Sequence, residues 1–578
     1  MRVSVSHIVV LRLAGVALLA VFYIAFGVFD HEIWPPTEPA FAGVVWSMLH
    51  TGNLLVPHIN ELPYLEKPPL AYVLSWAGIA LWGAATPGLL RLPAALAGVG
   101  SVLIVFCVAR RLYSESVAWL CAVLCALTGT FWGITHRAST DAVALFFTFA
   151  CLGVFSASLV EPASSKETAT DSISPLRSTR SADLLFCALL AVSFLVKNFY
   201  TFLLVVPPVT AFLLMTRSYG RLARIALVTS LLLLVIVIPW SYVLWHEGGL
   251  RYLRVVFFDN TIGRFTRIGP PTHVTLSPLN DAFVVHKDAT VSIGLSALAT
   301  EMLPWLLIQP LALWAFFRRR SREPWRGFLK LALVSMVVLL TLSASSVETY
   351  YRPAIFVLCL MSGEYLQDAY DMGSRLAKRY LVLAINLVGV ALLLAAAPLG
   401  AAKYLGLPAL AGLVPLLALG VVAALALSWA RWNRPTTAAA WGLLLVVLAG
   451  VNLALVIPPL DATRSWRPFF DEVRHDLDPE RTVWSTVIDD RHLPVMNFYL
   501  DRPLRLLRDP AGVPDLLRSQ QEEGVIMTVS QFTALQPALA GLRHRVVRAP
   551  VVDDRFIYVD NGAANRPICA AQDCASAR

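Results

Sequence analysis

Apolar runs long enough to cross a lipid bilayer recur along most of this chain, and in lipid such runs fold as helices that satisfy their own backbone polar groups. They lie near 11–29, 91–109, 116–134, 140–160, 183–197, 199–216, 225–245, 293–317, 327–344, 353–367, 380–399, 407–428 and 438–458, about thirteen spans. With 57% hydrophobic and 15% charged residues, the chain falls outside the soluble range, so these runs are not the core helices of a water-soluble domain. No small-x-small cleavage site follows the first run, which therefore reads as an uncleaved helix rather than a signal peptide.

Basic clusters orient the bundle. Arg110–Arg111, 217–224, 318–320, 375–379 and 431–434 fall on one side and mark the cytoplasm by the positive-inside rule. That parity holds only if the apolar stretch Leu70–Leu81 is a juxtamembrane helix and not a span. The N-terminus is then inside, and both the first polar loop (30–90) and the C-terminal region are outside. The net charge of +9 resides mostly in the cytoplasmic loops and calls for no nucleic-acid partner. Glu161–Ser181, rich in Ser and Thr, reads as a flexible cytoplasmic loop. The expected fold is an all-α polytopic membrane domain over 1–458 with outer juxtamembrane helices. A small α/β periplasmic domain over 459–578 follows, where short apolar runs alternate with helical stretches such as Trp466–Leu477 and Ala511–Ser519. Six cysteines lie in apolar spans and read as small buried hydrophobes, while Cys569 and Cys574 could close a short disulfide.

The outer face gathers ionisable groups. Pro36–Pro69 carries Glu38, His50, His58, Glu61, Glu66 and Lys67 directly after the first span. Parity places Asp141, Lys197, Arg264 (in a long outer loop, 246–292), Glu348, Tyr350, Tyr351 and Arg352 on the same side. A single Lys or Arg at a helix end is ordinarily an interface anchor, but charges of both signs recurring on one face point to a site. Lys and Arg near the outer leaflet suit an anionic lipid phosphate, and neighbouring carboxylates could deprotonate a hydroxyl or orient a metal. A divalent metal is left open, since His58, His273 and His286 lack metal-ligand spacing beside Glu66.

These residues resemble a known family. Glu38–Ala42, Ser47–Asn60 and Tyr64–Leu70 are similar to the first outer loop of aminoarabinose transferases and protein O-mannosyltransferase-like enzymes, which are GT-C glycosyltransferases using polyprenyl-phosphate sugars. The similarity continues through 91–96, 140–147, 195–198, 263–266, 303–305 and 350–353 in the family's order, over about the first 360 residues. The resemblance implies a bacterial inner-membrane enzyme transferring a sugar, 4-amino-4-deoxy-L-arabinose or a hexose, from a polyprenyl-phosphate donor. The acceptor would be lipid A, a glycolipid, a glycan or a protein on the outer face. It implies that Glu38, Asp141 and Glu66 are catalytic and that Thr37, Lys67, Lys197, Arg264, Tyr350 and Arg352 bind substrate, with Lys67 and Arg264 neutralising the leaving phosphate. The reaction would be a single inverting displacement that needs no sugar nucleotide. Three positions depart from the pattern: Thr37 stands where the family has Asp, Lys197–Asn198 replaces Lys-Gly, and Ser346–Val347–Glu348 lacks a usual Lys. Asp30, Glu32 or Asp141 could replace the missing carboxylate, and Arg352 the missing cation. The rival function is a lipid-linked sugar transporter, for which intramembrane charges would line a path.

Overall fold

The computed structural model describes residues 26–35, 37–160, 180–263, 308–343, 348–371, 457–475, 481–489, 492–519, 521–548 and 556–561, with a few isolated positions besides. The first outer loop contains α1 (Glu38–Thr51), a two-residue hairpin of β1 (His58–Ile59) and β2 (Leu62–Pro63), and α2 (Leu70–Trp82). The bundle follows as α3 (Pro87–Leu112), α4 (Glu115–Ala126), α5 (Gly129–Thr135), α6 (Thr140–Ser158), α7 (Arg180–Lys197), α8 (Tyr200–Met215), α9 (Tyr219–Arg254), α10 (Gln309–Arg318), α11 (Pro324–Leu342) and α12 (Ala354–Asp371). Local chemistry sets the ends. Thr86 and Ser114 cap α3 and α4 through their hydroxyls, and Gly52 supplies the left-handed residue (φ 71°) that stops α1.

Among the described residues, α3, α6, α11 and the α9 segment 219–261 are long and apolar enough to cross a membrane, and α4 with α5 makes a fifth broken by a 65° bend. The expected single span 116–134 is thus two helices, because Thr128 adopts an extended backbone (φ −68°, ψ 117°) between them. The candidate spans at 380–399 and 407–428, most of 11–29 and of 438–458, part of 293–317, the loop over 161–179, and Cys569 and Cys574 lie outside the described residues, and positions 180 and 181 of the expected loop open α7 instead. The expected outer loop 246–292 needs correcting at its start: helical structure runs on past 245, is broken at Gly249 (φ 64°, ψ −157°) and resumes to Arg254, and a π-helix continues through Val255–Gly263. Apolar residues persist across that stretch (Tyr252, Leu253, Val255, Val256, Phe257), and Val255 and Val256 are buried. The bundle core is apolar and aromatic, with Phe155 packed on Phe186, Phe212 and Phe328. Gly363 lets α12 close on α4, since a Cβ there would stand 2.3 Å from Cys121 Sγ.

The two ends of the bundle differ chemically. At one end Arg111 donates to the Ala157 carbonyl (2.8 Å), Asp183 pairs with Arg221 and Arg224 (2.8 and 2.6 Å), and Arg326 pairs with Glu364. The opposite end carries Arg91, Asp141, Lys197 and Arg352, at the start of α3, the start of α6, the end of α7 and just before α12.

Helices α13 (Ile457–Arg464) and α14 (Arg467–His475) lead into a five-stranded mixed sheet ordered β4-β3-β5-β7-β6. Its strands are β3 (Thr482–Ser485), β4 (Arg505–Leu506), β5 (Glu523–Thr528), β6 (Arg545–Arg548) and β7 (Phe556–Asp560). Strand β3 runs parallel to β4 and β5, while β7 is antiparallel to β5 and β6. The unit also holds α15 (Leu493–Leu500), α16 (Val513–Arg518) and α17 (Val529–Leu539).

Helix α15 lies on α1. Asn60 joins the two regions by donating to the Leu504 carbonyl (2.6 Å) and accepting from Leu504 N–H (3.2 Å), and Trp46 Nε1 donates to Asp501 (3.1 Å). A Cβ on Gly43 would stand 2.3 Å from the Pro494 Cβ and 2.8 Å from its Cα, so only glycine permits this approach. Replacing Gly43 with Leu is expected to cost about 1–3 kcal/mol in overpacking and to loosen the C-terminal unit. Faster tryptic cleavage around Arg464 and Arg467, at unchanged membrane yield, is the expected readout.

Candidate active site

The site is built where the first outer loop meets the ends of α6 and α7. The segments on either side of the β1–β2 hairpin are pinned from α9 and the π-helix: Trp240 Nε1 donates to the Leu55 carbonyl and Asn260 to the Leu65 carbonyl, each at 2.9 Å. Held there, Glu66 accepts from Tyr64 Oη at 2.6 Å and lies 3.6 Å from Lys67 Nζ. Burial works against the charge of Lys67, but Glu66 and then Asp141 outweigh it and raise its pKa, so the ammonium persists through the neutral range.

Asp141 sits in the first turn of α6, where the helix dipole favours a carboxylate, and Lys197 is the last residue of α7. They meet at 2.6 Å through Oδ1. Oδ2 of Asp141 makes no hydrogen bond to any described residue, and the side chain keeps 27% of its surface exposed. Lys197 Nζ also lies over the rings of Tyr200 (4.2 Å) and Tyr350 (4.8 Å), and Tyr200 Oη donates to the Tyr350 carbonyl at 3.1 Å. Arg352, two residues on, holds Glu301 at 3.3 Å. Asn198 then turns the chain with a left-handed φ of 47°. Asn and Gly are the residues that tolerate that conformation, which explains why Lys-Asn can stand for Lys-Gly.

Glu38 is placed differently from the expectation. It is 1% exposed and its two oxygens are filled: Arg91 Nε and Nη2 donate at 2.6 and 2.9 Å, and the N–H groups of Trp34 and Ala138 at 2.9 and 3.0 Å. Although burial opposes its charge, Arg91 holds the carboxyl below the usual range. Four donors occupy its two oxygens, so Glu38 joins the first loop to α3 and to the segment just before α6. Two of the three replacement carboxylates, Asp30 and Glu32, are also committed. Asp30 accepts from Gly27 N–H (2.9 Å) and contacts His31 (2.6 Å), and Glu32 binds Arg467 (2.6 Å) and accepts from Tyr499 Oη (2.9 Å). Thr37 is exposed at the start of α1 and its side chain does not cap that helix. Arg264 lies outside the described residues.

The structure thus brings Glu66, Lys67, Asp141, Lys197, Tyr350 and Arg352 together at one end of the bundle and sets Glu38 in a separate buried pair with Arg91. Sequence reasoning gave Arg91 no role beyond the start of a span and of the resembling stretch 91–96, and it missed Tyr200, which completes the aromatic wall. The signal for Arg91 was there: an Arg inside an apolar run requires a buried partner. Among the described residues, no three His, Cys, Asp or Glu side chains gather to hold a metal.

Residues 66–245 match the family of dolichyl-phosphate-mannose-protein mannosyltransferases. An undecaprenyl phosphate-α-4-amino-4-deoxy-L-arabinose arabinosyl transferase of Pseudomonas aeruginosa is 30% identical over 371 residues, 62% of this chain and 61% of that protein. A second enzyme of that description from Pseudomonas fluorescens is 28% identical over 357 residues, covering 62% of this chain and 59% of its own length. The chain therefore spans about three fifths of the curated relatives it matches. The crystal structure of ArnT from Cupriavidus metallidurans bound to undecaprenyl phosphate superposes with a TM-score of 0.72 at 20% identity, covering 97% of this chain and 99% of that one. The apo form of the same protein gives 0.73. In sequence and in fold, then, the chain is similar to GT-C aminoarabinose transferases, with a polytopic, mostly helical membrane architecture of that kind.

Proposed function

We propose that this protein transfers a sugar from a polyprenyl-phosphate donor to a lipid, glycan or protein acceptor at the outer face of the bacterial inner membrane. The observation that carries this reading is the convergence of Lys67, Lys197, Asp141, Glu66 and Tyr350, from four distant segments, at one end of the bundle. The donor phosphate is assigned to Lys67, with Arg352 and Arg264 as further cations. In the step, an acceptor oxygen bonds to the anomeric carbon as the carbon–oxygen bond to phosphate breaks on the opposite side. The configuration inverts and polyprenyl phosphate departs. Asp141 is the carboxylate best suited to take the acceptor's proton, because Lys197 anchors one oxygen and leaves the other clear of described groups. Lys67, kept charged by its neighbours, offsets the charge that develops on the leaving phosphate.

The remaining topology belongs to the same proposal: about thirteen spans with the N-terminus inside, a membrane domain over 1–458, and a soluble unit over 459–578 facing the periplasm. The relatives described above are transferases, which sets the transporter reading aside. Mass spectrometry of cell-envelope glycolipids and glycans with and without the protein tests the reading. A sugar mass that disappears with the protein is the expected result, and it names both sugar and acceptor. Identical envelopes, under conditions where the protein is made, would contradict it.

A further inference from the structure

The mechanism above leaves one phenol of the charged cluster unused. Tyr72 lies in the first turn of α2 and is 3% exposed. Its ring packs on Phe41 of α1 with centroids 4.7 Å apart, and Ser75, one turn on, donates to the Leu90 carbonyl at 2.8 Å and ties α2 to α3. The charges of Lys67, Glu66 and Asp141 act on the Tyr72 hydroxyl, and Tyr72 and Tyr350 both act on Lys67. Two neighbouring phenols are committed, Tyr64 Oη to Glu66 and Tyr200 Oη to the Tyr350 carbonyl. Tyr72 Oη makes no hydrogen bond to any described residue.

Buried hydroxyls are normally bonded, so this one stands open to a ligand. Burial raises its pKa; Lys67 pulls the other way, but Glu66 and Asp141 add to the rise, and the phenol keeps its proton through the neutral range. It is therefore a hydrogen-bond donor that carries no charge. The amino end of the 13-residue α2 lies at the same place: Pro69 stands at its cap with no side-chain bond, and helix amino ends favour anions.

We propose that Tyr72 is a further catalytic residue, donating its phenolic hydrogen to the phosphate oxygen that leaves the sugar. This rests on the transferase reading, with Lys67 on the same phosphate. The sugar donor joins sugar to lipid through a phosphodiester with one negative charge, whereas the released monoester carries close to two above its second pKa of about 6. Lys67 matches the charge present before reaction. The second charge appears only as the carbon–oxygen bond breaks and its electron pair settles on the departing oxygen. A neutral O–H at that oxygen stabilises it more in the transition state than in the bound sugar donor, and interactions of that kind raise kcat. Tyr72 keeps its proton throughout, and the acceptor's proton goes to Asp141.

The test uses the full-length protein in nanodiscs and the variant Tyr72→Phe, which removes the oxygen and leaves the ring on Phe41. The expected result is a kcat for transfer from polyprenyl-phosphate sugar about 10–100-fold lower, the worth of one hydrogen bond to a charged group, with the KM for that sugar donor within about twofold. A binding readout separates this from packing. The variant should hold polyprenyl phosphate about tenfold more weakly at about pH 8, where the phosphate carries two charges, and nearly as well as the wild type at about pH 5, where it carries one. Glu66, Lys67 and Asp141, the charged groups that act on Tyr72, are the same in both proteins, so their own titration cancels in the ratio. Wild-type kcat in Tyr72→Phe would overturn the inference. So would equal loss of affinity for the sugar donor and for polyprenyl phosphate at both pH values, the mark of a displaced helix. Absence of transfer by the wild type would instead count against the transferase reading, while the pH-dependent loss of polyprenyl phosphate is read without turnover.

Discussion

Exchanging Asp141 for Asn is expected to lower turnover by about 10²–10⁴-fold, the range that a positioned general base contributes, while leaving donor affinity nearly intact. Asn keeps the shape at the start of α6 and can still accept from Lys197 through its amide oxygen, replacing the 2.6 Å ion pair by a neutral contact. What it cannot do is receive a proton. The distinction from a positioning role lies in the pattern of losses: a base shows in kcat, whereas misplacement of Lys197 and its two tyrosines would show in the KM for polyprenyl-phosphate sugar as well. Lys197→Gln provides the comparison, since it removes the cation and leaves the carboxylate. Near wild-type kcat for Asp141→Asn would pass the role of base to Glu66, the other partly exposed carboxylate of the cluster.

The largest structural effect is expected from Arg91→Met. Arg91 is 0% exposed and spends all five of its donor positions: two on Glu38, and the rest on the carbonyls of Val28, His31 and Glu32. Removing one partner of a buried pair leaves an uncompensated charge and costs about 3–5 kcal/mol, a large part of the stability of a typical domain. The first outer loop would then lose its tie to α3, and the protein should be recovered aggregated or not at all by size-exclusion chromatography. Pairing the change with Glu38→Gln should restore part of the yield, because the stranded charge is gone. The same pair predicts an acid limit. A carboxyl held below its ordinary pKa contributes stability in full above the unfolded value and loses it as pH falls through the folded one, so Glu38 weakens the fold only on acidification.

How much of this was legible in the sequence depends on the physics of each residue. Lys67, Asp141, Lys197 and Arg352 were readable because ionisable groups at the ends of apolar runs are costly to place and few in number. Their joining was not, since it needs the packing of α6 on α7 and of the first loop on α9. Glu38 shows the limit of reading chemistry from a charged residue in a motif: its burial and four donors became apparent only with Arg91 beside it. The single span expected over 116–134 failed because hydropathy is blind to a backbone break such as the one at Thr128. The loop start assigned at 246 failed because polar Glu247 and Arg251 hid helical structure that resumes past a break at Gly249 and reaches Arg254. Glu247 in fact contributes to the site's frame, accepting from Asn53 Nδ2 at 2.7 Å.

Sugar transfer by the converged lysines and carboxylates must release polyprenyl phosphate. The direct measurement reconstitutes the purified protein in liposomes with a radiolabelled polyprenyl-phosphate sugar and an envelope glycolipid extract as acceptor. Label is expected in the glycolipid, matched mole for mole by free polyprenyl phosphate, with loss of both in Asp141→Asn or Lys67→Gln. Label carried across the bilayer while still attached to polyprenyl phosphate, with no free polyprenyl phosphate formed, would contradict it.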